Sequence, residues 1–170
     1  YGKAKIITAT NVFAHVDDLH SFMKGVRALL TDDGVFITES GYTEDMIREL
    51  QYDFMYHEHL RYYTLKPLSV LFEKFGMEII DAERVPIHGG SIRVHTAFKN
   101  KYPVSPHVRD LMKKEKGSGL YDKKTYTAFA EEVEKIKLSL QKIVIDIKSK
   151  GKEIVGIGAP AKGNTLLNYC

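Results

Sequence analysis

An α/β fold is predicted for this chain of 170 residues by three observations. Short β-rich runs alternate with stripes of apolar residues spaced three and four apart. The connections are brief and carry turn residues, as at Asp33-Gly34 and Gly89-Gly90. Composition agrees, because 44% hydrophobic and 28% charged residues describe a globular chain with enough apolar surface for a core.

Each element has its own signal. Ile6-Ile7-Thr8-Ala9-Thr10 reads as a strand ending at Asn11-Val12-Phe13-Ala14-His15. Asp17 and Asp18 are N-caps for a helix with Leu19, Phe22, Val26, Leu29 and Leu30 on one face. After the Asp33-Gly34 turn, Val35-Phe36-Ile37-Thr38-Glu39 is the next strand, and strand, helix, strand with short links predicts a parallel, right-handed unit. Thr43, Glu44 and Asp45 open a helix running to about Leu50. Thr64 caps another, with Leu65, Leu68, Leu71, Phe72 and Phe75 inside and Gly76 at C′. Residues 78–85 and 91–98 read as antiparallel strands joined by Pro86-Ile87-His88-Gly89-Gly90.

The carboxyl-terminal part changes character. Residues 101–124 hold Pro103, Pro106, Gly117 and Gly119 and read as a linker. Residues 125–150 form a long helix with Phe129, Val133, Ile136, Leu140, Ile143 and Ile147 in a heptad-like stripe. That stripe packs along a neighbouring domain or serves self-association. Residues 153–158 read as a strand, and Lys162-Gly163-Asn164-Thr165 opens a helix. Both ends are abrupt, and the chain is expected to be a fragment.

Bulk properties exclude several classes. Net charge is +3 with scattered lysines, so no basic stripe marks a nucleic-acid groove, whereas anionic small molecules fit. The single cysteine, Cys170, excludes an internal disulfide framework and suits a reducing cytoplasm. No apolar run approaches the roughly 18 residues of a membrane span.

Chemistry concentrates in Tyr56-His57-Glu58-His59-Leu60-Arg61-Tyr62-Tyr63. His, Glu and Tyr make a poor core element, since their polar atoms need partners wherever they are buried. An imidazole suits proton transfer near neutrality, which makes His59 the candidate general base. In an extended segment His57 and His59 share a face and Glu58 points the other way. Zinc held by His57 and His59 with His15, His88 or His95 is the alternative, but the helical i, i+4 spacing is absent and no metal site is assigned. His15 follows a strand end, where parallel sheets open their ligand crevice, although capping or plain exposure would also place it there. Gly89-Gly90 makes a turn or lets backbone approach a ligand. Gly156 to Thr165 follows a strand and opens a helix, offering backbone N–H groups and Lys162 to an anion; a tight turn without ligand is the other reading.

Together, Asn11-Val12-Phe13-Ala14-His15, Tyr56-His57-Glu58-His59, Ile87-His88-Gly89-Gly90-Ser91 and Gly158-Ala159-Pro160-Ala161-Lys162-Gly163-Asn164 resemble the S-adenosylmethionine-dependent C-methyltransferases of nucleotide-linked deoxysugars. The resemblance spans essentially the whole chain. It implies that residues 1–100 are the second half of a Rossmann-like, class I methyltransferase domain. Residues 125–170 would be the long helix and first strand-turn-helix of a second α/β, substrate-binding domain. The zinc-binding domain of the family, and the glycine-rich turn that grips the cofactor, would lie upstream; zinc is expected only there. By resemblance His59 removes the C3 proton of a 4-keto sugar, with Tyr56, Glu58 and His15 as the other catalytic positions. Asn11 matches the cofactor edge. His88 and Ser91 belong to the motif expected to meet the sugar nucleotide, and Lys162, Asn164 and Thr165 follow from the anion argument. Arg61 stands where the family pattern suggests a small polar residue. The competing classes are a truncated sugar-nucleotide-binding module and a scaffold pairing through its long helix.

Overall fold

Strands β1 (Ala4–Thr10), β2 (Leu30–Gly41), β3 (Met77–Val85) and β4 (Ser91–Phe98) form one sheet in the computed structural model, which describes residues 2–170. Their order is β1-β2-β4-β3. β1 and β2 are parallel, while β4 runs antiparallel to both its neighbours. Helices α1 (Leu19–Leu29), α2 (Thr43–Arg48) and α3 (Leu65–Glu73) belong to this sheet-bearing part. Helices α4 (Pro106–Gly117), α5 (Lys123–Ser149) and α6 (Ala161–Tyr169) follow it.

The packing follows the apolar patterns. α1 is capped by Asp18, whose carboxylate accepts from the Ser21 N–H at 3.0 Å, and it buries Leu19, Met23 and Val26. α3 buries Leu65, Leu68 and Phe72. Between these helices and the sheet lies an aromatic cluster centred on Phe13, which is fully buried. Its ring centroid lies 5.3 Å from Tyr63, 5.6 Å from Phe22, 6.1 Å from Phe36 and 6.2 Å from Phe72, within the usual range for aromatic pairs. Across β2, β4 and β3 a charge ladder fixes register. Arg93 stands opposite Glu39 and Glu83 and bonds both, at 2.8 and 2.9 Å.

Several expectations need correction. The 101–124 linker contains α4, because Ser105 accepts from the His107 N–H and Pro106 sits at the first helical position, where a missing N–H costs nothing. Residues 153–158 are not a strand. They carry no ladder, and Val155 and Ile157 are 80% and 98% exposed, because no described strand lies beside them to complete the backbone hydrogen bonds. Asp33-Gly34 does not separate helix from strand: β2 begins at Leu30, and its register shifts between the pairs Ala4–Leu30 and Ile6–Val35. α2 ends at Arg48, two residues early, and Leu50 takes a positive φ of 54°. α2 does open at Thr43, with Glu44 and Asp45 in its first turn, whereas Thr64 stands at the N-cap of α3 without a side-chain bond. Gly76 has the left-handed φ of 70° but follows the C-cap Lys74 by two residues.

The long helix spans Lys123–Ser149, close to its expected bounds. Its stripe is buried only near the start, at Phe129 and Val133, which pack with Tyr52. Further along, Ile143 is 57% exposed. Among the described residues no helix is long and apolar enough to cross a membrane.

Candidate functional site

A cleft of ≈ 280 Å³ opens at the carboxyl ends of β1 and β2, beside the start of β4. That is where open α/β sheets receive ligands. Asn11, His15, Tyr56, His59, His88 and Lys162 all line it. Residues far apart in sequence therefore converge on one place.

Local folding explains the convergence. The buried Phe13 and Ala14 anchor a short 3-10 turn at Phe13–His15, closed by the His15 N–H bonding Val12 O at 2.9 Å, and His15 is left facing outward. The Tyr-His loop is tied to this turn twice. Leu60 N–H donates to Ala14 O, and the Tyr63 hydroxyl donates to Phe13 O, each at 3.1 Å. The loop's far end is held by Thr43, whose N–H and hydroxyl both donate to Tyr63 O. His59 and His15 meet with ring centroids 4.9 Å apart.

The hydrogen bonds of His59 assign its tautomer. Nδ1 lies 2.8 Å from Phe54 O, and a carbonyl only accepts, so Nδ1 carries the proton. Nε2 is therefore the basic nitrogen, and it accepts from the Tyr56 hydroxyl at 2.9 Å. Phe54 stacks on the imidazole at 4.9 Å, and Lys162 Nζ sits 3.9 Å above the Phe54 ring. Burial lowers the pKa of His59, the Phe54 carbonyl works against that shift, and the charges of His15 and Lys162 add to it. Burial first and the Glu58 charge second push the Tyr56 hydroxyl up, so it remains a donor. The result is a neutral imidazole with one lone pair aimed beside a protonated phenol.

The Gly-Gly loop forms the third side. His88, Gly89 and Gly90 have φ values of 54°, 82° and 105°, a run that favours glycine. Gly90 is forced by space as well: a Cβ there would lie 2.3 Å from Asp45 Oδ2. Asp45 is fully buried and bonded by Arg48 and Arg84, at 2.8 and 2.5 Å, so it has no room to retreat. Gln51 Nε2 donates to Gly89 O at 2.7 Å.

Other sequence candidates lie off the cleft. Glu58 is exposed and faces His57 at 3.9 Å, both pointing outward. Ser91 is fully buried, and its hydroxyl closes the Gly-Gly loop on Ile87 O at 3.2 Å. Asn164 accepts from the Asn168 side chain on α6, and Thr165 does not line the cleft. Phe54 and Gln51 line it without having been singled out, and Tyr62 lines it as part of the Tyr-His run though no role was assigned to it. Phe54 stands just before the aromatic run, which was a usable signal; nothing in the sequence marked Gln51. Arg61 reaches the backbone carbonyls of Val16 and Asp17. With Lys162 it gives the lining two cations and no carboxylate. Among the described residues no group of three or more His, Cys, Asp or Glu is arranged to hold a metal ion.

Residues 86–170 match the family described as C-methyltransferase C-terminal domain, and residues 1–82 match the methyltransferase domain family. The chain is 34% identical over 171 residues to C-methyltransferase NovU of Streptomyces niveus. That alignment takes in 100% of this chain and 41% of the relative, so the chain spans less than half its length. A solved O-methyltransferase (NcsB1) from neocarzinostatin biosynthesis, in complex with S-adenosylmethionine and 2-hydroxy-5-methyl naphthoic acid, is 20% identical with a TM-score of 0.43. The match covers 57% of this chain and 29% of that one.

Proposed function

The chain belongs to the C-methyltransferase family, and from that premise we propose that it forms the proton-abstracting side of an S-adenosylmethionine-dependent site acting on a 4-keto deoxysugar nucleotide. The observation that carries this reading is the His59 imidazole, neutral, with Nε2 as its basic nitrogen and beside His15 and Tyr56 in the cleft.

The chemistry follows from those groups. A keto group at C4 acidifies the proton on C3. His59 Nε2 takes that proton once the Tyr56 hydroxyl turns away from it. The released hydroxyl then donates to the keto oxygen, where negative charge develops and a positioned donor is worth most. His15 lies on the same side and adds a second polar group. The Phe54 carbonyl holds the Nδ1 proton throughout, so the imidazole keeps its orientation and stabilises positive charge as it forms. Arg61 and Lys162, with no acid among the lining residues, suit an anionic substrate such as a nucleoside diphosphate sugar. A volume of ≈ 280 Å³ is near the small end of ligand pockets, which begin at about 300 Å³, and suits the sugar ring.

Asn11 fits one edge of the cofactor. It has a left-handed φ of 53° at the carboxyl end of β1, and its N–H is tied to Glu39 O at 2.8 Å while the residue lines the cleft. S-adenosylmethionine, when bound, supplies the electrophilic methyl group.

Solvent exchange isolates the first step. The native protein, given the keto sugar nucleotide in D2O without cofactor, should wash deuterium into C3, as followed by proton NMR. His59→Ala should reduce that exchange by about 10²- to 10⁴-fold. Exchange at the native rate in the variant would assign the base elsewhere.

A further inference from the structure

Glu115, in α4, is fully buried and lines no part of the cleft. An enclosed carboxylate is costly unless donors surround it. Here Oε1 accepts from the Tyr42 hydroxyl at 3.1 Å and from the Leu65 N–H at 2.7 Å, and Oε2 accepts from the Tyr121 hydroxyl. Leu65 opens α3, where Thr64 provides no side-chain cap, so Glu115 supplies the negative group that a helix start favours. Burial, then the Glu115 charge, pushes the Tyr42 hydroxyl far up; burial and the bond to Glu115 bring Tyr121 up to about 12. Both phenols stay donors.

Tyr42 is where two cleft loops meet. Its N–H donates to Gly90 O at 3.1 Å, and its backbone pairs with Tyr63 at the end of the Tyr-His loop. The carboxylate thus reaches from α4 to the corner where the Gly-Gly loop, in the same C-terminal family match, meets the Tyr-His loop of the methyltransferase-domain match. Replacing Glu115 with an apolar residue would strand three donors, the Leu65 N–H and the Tyr42 and Tyr121 hydroxyls, so the carboxylate is the group that gathers them into one arrangement.

We infer that Glu115 is a positioning residue that, acting through Tyr42, holds the Gly-Gly loop and the Tyr-His loop at the separation methyl transfer requires. The inference rests on reading the cleft as the methyl-transfer site.

The test is a double-mutant cycle in the native protein, with Glu115→Leu, which removes the acceptor, Tyr42→Phe and the pair assayed well below each measured Tm. Each single change should lower kcat by about ten- to a hundredfold, as expected of misplaced reacting groups, with the KM for S-adenosylmethionine unchanged. The double variant should lose no more than the worse single one, because both cut one link. A lowered Tm with undiminished kcat would make Glu115 a structural clasp and overturn the proposal, as would a double loss equal to the product of the singles. Should Glu115→Leu fail to fold, Tyr42→Phe keeps the ring and reads the same link by its own kcat and Tm. Failure of the base assignment registers separately, as undiminished C3 exchange in His59→Ala.

Discussion

The sheet-bearing part of the chain and the arm that follows it handle apolar residues in opposite ways. Around Phe13 the first part closes a core in which Phe36, Phe72, Leu30 and Val94 are fully buried. The arm buries Phe129 and Val133 in a second, smaller cluster against Tyr52 of the first part, and leaves Val155, Ile157 and Leu167 80% or more exposed. The chemistry divides along the same line. His15, Tyr56 and His59 stand on turns pinned to the closed core, whereas the arm lends the cleft a cation, Lys162. The groups proposed to move protons sit on the closed side, and the cation that the arm contributes sits on the open one.

His59→Ala is the harshest challenge to that division. Its methyl-transfer rate should fall by about 10²- to 10⁴-fold, and initial rates that stay above a tenth of native would break the assignment. Next come the two cores. Phe72→Ala should cost about 3–5 kcal/mol in urea unfolding, as a large-to-small change in a sealed core does. Phe129→Ala, in the open cluster, should cost about 2 kcal/mol, and an equal loss at both sites would erase the contrast. Lys162→Met should weaken sugar-nucleotide binding about fivefold by calorimetry, an effect that shrinks as salt rises.

The smallest effect concerns pH. Burial, helped by the His15 and Lys162 charges, disfavours the imidazolium of His59, so its pKa lies below the ordinary 6.5. The basic form therefore persists as pH falls past 6.5, and the acid limb of kcat/KM should appear below that value. Lys162→Met removes one of the opposing charges and should move the limb upward. A limb above 6.5 in the native protein would contradict the assigned environment.

The sequence made the alternating part legible because each strand and helix there finds its neighbour nearby, and local pattern and tertiary outcome agree. Residues 91–98 became β4 at the expected bounds. Residues 153–158 carry an equally good strand pattern, Ile154-Val155-Gly156-Ile157, but pairing is a property of two segments and no strand among the described residues lies alongside. Helix α4 was hidden because Pro106 reads as a breaker until its place at the helix start is known. Within the site, adjacency in sequence flagged Tyr56 and His59, which meet across one turn of the loop. It also flagged Glu58, which the same turn directs outward. Gln51 and Glu115 act through the backbone carbonyl of Gly89 and the hydroxyls of distant tyrosines, contacts with no periodic or motif signature.

The strand order has a consequence for how the protein is made. β4 is the last strand of the sheet to be synthesised, yet it lies between β2 and β3. Until residue 98 has left the ribosome, β2 presents a naked edge and β3 has nothing to join. Such an edge invites pairing with other nascent chains. Cells producing this polypeptide should therefore lose soluble yield most sharply when translation stalls just before residues 91–98, a window in which holding chaperones have the most to do.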